Sequence, residues 1–107
     1  MEIRHYLTAS GRDPYQEWVD KLKDLMGRVA IQRRVDRIAA GHLGEHKFLQ
    51  DGVWELKIDL GPGYRVYYAQ ESTTLVLLLG AGTKRTQAAD IKTAVRYWHD
   101  YQQRRKP

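Results

Sequence analysis

The sequence predicts one α+β domain: a largely antiparallel sheet of about four strands, an N-terminal helix pair and a C-terminal helix, in the order β-α-α-β-β-β-α. Three observations carry that expectation. Val53 to Gln70 alternates apolar and polar residues around Gly61-Pro62-Gly63, and Leu75 to Leu79 is wholly apolar. Asp13-Pro14 and the apolar spacing after Thr86 mark helices before and after that block. At 107 residues, with no repeat, no low-complexity segment and no Gly/Ser linker, residues 1–107 suffice for one core and not for two.

The elements follow in order. Glu2 to Leu7 alternates and reads as a first strand, with Ile3, His5 and Leu7 on one side and Arg4 and Tyr6 on the other. Asp13 caps a short helix to about Lys23, Pro14 suits its first position, and Gln16 completes a capping box; Trp18, Val19 and Leu22 face inward. Beyond Gly27 a second helix points Val29, Ile31, Val35 and Ile38 inward and Arg28, Arg33, Arg34 and Arg37 outward, ending at Gly41 and Gly44. The arginines form either a phosphate-binding stripe or a solvated face, and the second is the commoner use of such residues.

A three-residue loop at Gly61-Pro62-Gly63 pairs Leu60 with Tyr64, Ile58 with Val66 and Leu56 with Tyr68, so one face of the hairpin is apolar. The other face then pairs Asp59 with Arg65 and Lys57 with Tyr67, with Glu55 beside Ala69. A slip of one residue would bury those charges. Leu75 to Leu79, with no alternation, is a strand covered on both sides. Thr86 caps the last helix, Asp90 suits its first turn, and Ile91, Ala94, Val95, Trp98 and Tyr101 form a stripe that packs on the sheet or on a partner. The basic tail from Gln102 to Pro107 is expected to fray.

A net charge of +5 favours a polyanionic partner such as nucleic acid or an acidic protein. With no cysteine there is no disulfide framework and no thiolate metal site. No leader is visible and no apolar run approaches a membrane span, so a cytoplasmic, unprocessed protein is expected. His42 and His46 have a metal-like spacing, but Gly44 interrupts a helix there and no third ligand is evident, so no metal site and no cofactor are expected. Glu45 and His46, on a connection with Lys47, are candidate acid–base groups. Gly80 to Arg85 reads as a loop opening a helix, where Gly82 lets a backbone approach and Lys84 and Arg85 add charge; it is not a P-loop. Together with Lys57, Arg65 and Tyr67, these groups can converge on a phosphate and on the charge of its transition state. Asp59 is the group that would instead neutralise Arg65.

Gly52-Val53-Trp54-Glu55-Leu56-Lys57-Ile58, Gly63-Tyr64-Arg65-Val66-Tyr67-Tyr68, Leu77 to Gln87 and Asp90-Ile91 together resemble the RelE/ParE superfamily of toxins, and within it the HigB-like, phage Gp49-related addiction-module killer proteins. The resemblance implies a toxin of a type II toxin–antitoxin system, acting as a ribosome-dependent, metal-independent mRNA endoribonuclease. It also implies a cognate antitoxin, a helix-turn-helix protein encoded by the adjacent gene. By position it assigns Lys57 to orient phosphate or assist proton removal, and Arg65 with Lys84 or Arg85 to stabilise the phosphorane. Glu55 departs from a family lysine, and the family's terminal acid has only Tyr97, His99 and Tyr101 as counterparts, inside the last helix. A ParE-like gyrase inhibitor and a non-catalytic nucleic-acid or antitoxin-binding module are the alternatives, because the fold is shared.

Overall fold

The computed structural model describes residues 1–105. Its elements are β1 (Glu2–His5), α1 (Pro14–Lys21), α2 (Leu25–Ala39), β2 (His46–Gln50), β3 (Val53–Ile58), β4 (Tyr64–Ser72), β5 (Leu75–Thr83), a single 3-10 turn (Lys84–Thr86) and α3 (Gln87–Arg105). They build one five-stranded sheet in the order β1-β5-β4-β3-β2, with β1 parallel to β5 and the other pairs antiparallel. The α+β architecture and element order match expectation, with one strand more than expected. No helix among the described residues is long and apolar enough to cross a membrane.

The extra strand is β2, which the sequence presents as a connection. Asp51 and Gly52, both with positive φ (51° and 88°), turn it tightly onto β3. Its residues are mostly exposed because it is an edge, so it shows no hydrophobic run.

Helices cover both faces of the sheet. Asp13 caps α1 by accepting from the Gln16 backbone N–H, and Asp24 caps α2 by accepting from Gly27. Gln16 does not close a capping box; its amide donates forward to Asp20 instead. Gly27 lies inside α2 rather than before it, since Asp24, three residues earlier, caps the helix, and a methyl at Gly27 would stand 2.6 Å from Cε2 of Tyr64. That ring is seated against the helix by a 2.6 Å hydrogen bond from its hydroxyl to Asp24. Tyr15, Val19, Ile31, Val35 and Ile38 of α1 and α2 pack on Leu56, Ile58, Tyr64, Val66 and Tyr68. Val29, expected inward, is exposed, and Arg34, expected outward, is half-buried. The α3 stripe packs on the opposite face, Ala94 and Trp98 against Tyr6, Val53, Tyr67, Ala69, Leu77 and Leu79. Helix α3 continues to Arg105, so residues 102–105 of the tail are helical; residues 106 and 107 lie outside the described part.

Two registers differ from expectation. The β3–β4 loop takes five residues, Asp59 to Gly63, so Ile58 pairs with Tyr64, Leu56 with Val66 and Lys57 with Arg65. Gly61 and Gly63 supply the left-handed residues of this longer turn. A shift of two residues preserves which face each side chain takes, so the apolar face survives while every cross-strand partner changes. Strand β5 likewise runs on to Thr83, pairing Gly80 with Tyr67 and Gly82 with Arg65, so the expected glycine loop is sheet and only Lys84 to Thr86 turns.

Candidate active site

On the α3 side of the sheet, near the β2 edge, a hollow of about 380 Å³ is lined by Glu45, His46, Lys47, Glu55, Lys57, Arg65 and Gln87. Strand parity puts Glu55 and Lys57 on one wall, since both point away from α1 and α2; Arg65 stands directly across from Lys57 on β4. Like charges directly opposite each other on a sheet face are unfavourable. Two carboxylates compensate: Glu55 Oε1 lies 3.5 Å from Arg65 Nε, and Glu45 Oε1 lies 3.9 Å from Lys57 Nζ. Asp59 is exposed in the turn and takes no part.

Arg65 and Glu55 are both buried, at 5 % and 3 % exposure, whereas Lys57 keeps nearly half of its side chain in solvent. The Arg65 guanidinium is held from behind, donating from one terminal nitrogen to the Gly63 carbonyl at 2.9 Å. Its other terminal nitrogen makes no hydrogen bond among the described residues. Gln87, at the start of α3, donates to Glu55 Oε1 at 2.6 Å and ties the helix to this pair. Neither Glu55 nor Gln87 was expected here. Glu55 alternates in phase with Lys57, which signals its face but not its partner.

The outer, β2 side of the wall is pinned by Arg34, which reaches from α2 to donate to the carbonyls of Lys57 (2.6 Å), Glu45 (2.8 Å) and Leu43 (3.1 Å). Burial, then the neighbouring Arg37 charge, lowers its pKa from the usual guanidinium value. It is thus a half-buried clamp on the segment that presents Glu45 and His46. His46 Nδ1 lies 2.9 Å from the Gly44 carbonyl, and its ring stands against Trp54, centroids 5.6 Å apart, on the α1/α2 face with its register partner Leu56, so His46 borders the hollow without sharing the face of Lys57 and Arg65. A carbonyl only accepts, so Nδ1 is the donor in this contact.

The remaining sequence-derived candidates lie elsewhere. Lys84 and Arg85 sit on the 3-10 turn, where the Lys84 N–H donates to Gly63 at 2.8 Å; they precede Gln87 but do not line the hollow. Tyr67 is 1 % exposed beneath α3, its hydroxyl unpartnered among the described residues and its pKa raised mainly by burial; it borders a separate hollow of about 100 Å³. Gly82 serves packing, since a methyl there would meet the Asp90 carboxylate at 1.9 Å. The last two share a reason: with β5 running to Thr83, α3 closes over Tyr67 and Gly82, while Lys84 and Arg85 stay exposed on the turn that follows. Among the described residues no three of His, Cys, Asp and Glu are grouped as metal ligands would be.

The model of the phage-derived Gp49-like family (DUF891) matches residues 17–98, which include the whole hollow. An uncharacterized protein of Haemophilus influenzae strain Rd is 44 % identical over 80 residues, covering 75 % of this chain and 81 % of that relative. The chain therefore belongs to the Gp49-like family, itself part of the RelE/HigB-like superfamily of toxins.

Proposed function

We propose that the chain is the HigB-like toxin of a type II toxin–antitoxin pair and an endoribonuclease that cuts mRNA on the ribosome without a metal ion. The observation that carries this reading is the cross-strand pair Lys57–Arg65 on the wall of a hollow that also holds the Glu45 carboxylate. Such a pair is a standing demand for a divalent or monovalent oxyanion, and a ribose phosphate supplies it.

In the proposed reaction a phosphodiester enters against Arg65 and Lys57. The Glu45 carboxylate, 3.9 Å from Lys57 Nζ, takes the proton of the 2′-hydroxyl, and the 2′-oxygen forms a bond to phosphorus. The negative charge on the pentavalent phosphorus is met by the free edge of Arg65. The P–O5′ bond breaks, its electron pair stays on the 5′-oxygen, and the Lys57 ammonium supplies the proton that makes a 5′-hydroxyl. The other product is a 2′,3′-cyclic phosphate. Lys47 binds substrate at the rim, and Lys84 and Arg85 hold phosphates further along the strand.

Primer-extension mapping of cellular mRNA after induction tests the reading. Cuts at ribosome-bound codons, absent with Lys57→Ala, are expected; growth arrest with intact mRNA and inhibited DNA supercoiling would replace this reading with gyrase inhibition.

A further inference from the structure

Among the described residues seven large apolar side chains are at least 36 % exposed, and four of them, Leu25 (68 %), Met26 (71 %), Val29 (43 %) and Leu60 (36 %), form one patch. Leu25 and Val29 make a ridge between two hollows, one of about 310 Å³ flanked by Arg28 and one of about 380 Å³ floored by Leu60 and Arg33. None of the four belongs to the core that Ile31, Val35 and Ile38 of the same helix build. A contiguous exposed patch of this kind marks an interface.

Further along α2 the same stripe turns basic. Arg33 and Arg37 follow Val29 in steps of four residues, and neither lies within ion-pair distance of a carboxylate among the described residues. From Leu25 to Arg37 the stripe is about 18 Å long at 1.5 Å per residue, the span of roughly three helical turns. One end wants apolar side chains and the other wants carboxylates.

We propose that this face of α2 docks an acidic amphipathic helix of the antitoxin, its apolar side chains in the two hollows and its carboxylates on Arg33 and Arg37. The identity of the partner rests on the toxin reading above. An RNA strand does not fit, because ribose and phosphate gain nothing from burying Leu25 and Met26. A second copy of this chain offers poor carboxylates: Asp24 and Asp36, the ones at α2, are already hydrogen-bonded to Tyr64 and Gln32. The patch lies on the sheet face opposite the hollow, so an antitoxin bound here leaves the catalytic groups uncovered and acts by blocking approach to a large substrate.

The test is calorimetric titration of the whole chain with the protein encoded by the adjacent gene. Met26→Asp is expected to weaken the complex about a hundredfold and Arg33→Glu at least about tenfold, while Phe48→Ser on the far edge strand leaves it unchanged. Both α2 side chains are exposed, so the variants keep the wild-type melting temperature. Wild-type affinity in both variants, or no complex with the unaltered chain, overturns the proposal. So does a dimer that Met26→Asp dissociates while antitoxin affinity stays intact. Toxicity of Met26→Asp without antitoxin is read in parallel: it persists whether or not docking fails, and its absence from the unaltered chain would count against the toxin reading instead.

Discussion

Lys57 and Arg65 face each other across β3 and β4, yet their removal should have opposite signatures. Lys57 is half-exposed and its one ion-pair partner among the described residues, Glu45, is 3.9 Å away. An exposed pair of that kind contributes about 0–1 kcal/mol. Lys57→Ala should therefore melt within a few degrees of the parent while losing about 10²–10³-fold in cleavage rate, the usual cost of one group that stabilises transition-state charge. Arg65 is buried against Glu55, and truncating it leaves that carboxylate with only the Gln87 amide. Breaking a buried pair costs about 3–5 kcal/mol. At roughly 4–8 °C per kcal/mol for a domain of this size, Arg65→Ala should lower the melting temperature by more than about 10 °C, so lost activity in that variant alone says little about chemistry. The assays are a thermal melt and cleavage of mRNA on purified, translating ribosomes. A Lys57→Ala protein that cuts at the parental rate removes this hollow as the seat of the reaction. An Arg65→Ala protein with the parental melting temperature refutes the burial argument.

Three further perturbations probe the frame around the hollow. Arg34→Ala should release the segment carrying Glu45 and His46, lowering cleavage and raising hydrogen exchange at residues 43–46 while α3 stays protected, because three carbonyls lose their donor. Gly27→Ala should destabilise by about 1–3 kcal/mol in denaturant titration, since overpacking against the Tyr64 ring outweighs the helix-propensity gain of about 1 kcal/mol. The hydrogen bond from Tyr64, then that from the Gly27 N–H, holds the Asp24 carboxyl below the usual carboxylate range. Its contribution is therefore complete above the unfolded-state value of about 4 and is lost as pH falls through the lower folded-state value. In acid titrations of stability, Asp24→Asn should flatten that part of the fall, and a variant with the parental acid limb would exclude Asp24.

What could be read from the sequence follows from which signals are local. Alternation over Val53 to Gln70 fixed the faces, and because a two-residue slip keeps parity, Leu56, Ile58, Val66 and Tyr68 were assigned to the core despite an incorrect register. The partners were not legible, since whether Leu60 continues the strand or leaves it depends on how Gly61 and Gly63 share the turn. Strand β2 did have a signal in Asp51-Gly52, the favoured hairpin dipeptide, but its exposed edge lacks an apolar pattern to accompany it. Arg34 was indistinguishable from Arg33 and Arg37 in composition; only the packing of α2 over the β3 end selects it as a clamp. The cationic pair Lys57–Arg65 was legible as a shared face, whereas Glu55 and Gln87, 32 positions apart, meet only because α3 crosses back over the sheet.

The charges around the hollow give the site its direction. Lys47, Lys57 and Arg65 stand against Glu45 and Glu55, leaving one positive charge when His46 is neutral. A phosphodiester brings one negative charge and balances it; a pentavalent phosphorane carries about one more and is drawn in further, so the field favours the transition state over the ground state. The carboxylates are not equivalent in this. Glu55 is buried, anchored by Gln87 and set behind Arg65, so it fixes the guanidinium without competing for the open edge. Glu45 is exposed and loosely paired, free to turn toward a 2′-hydroxyl or away from an arriving phosphate. A lysine at position 55, as the superfamily resemblance would suggest, would put a third cation against Arg65 with no carboxylate to hold it. With glutamate there, the buried layer is neutral and the net charge moves outward to Lys57 and Lys47, where the proposed phosphodiester substrate would arrive.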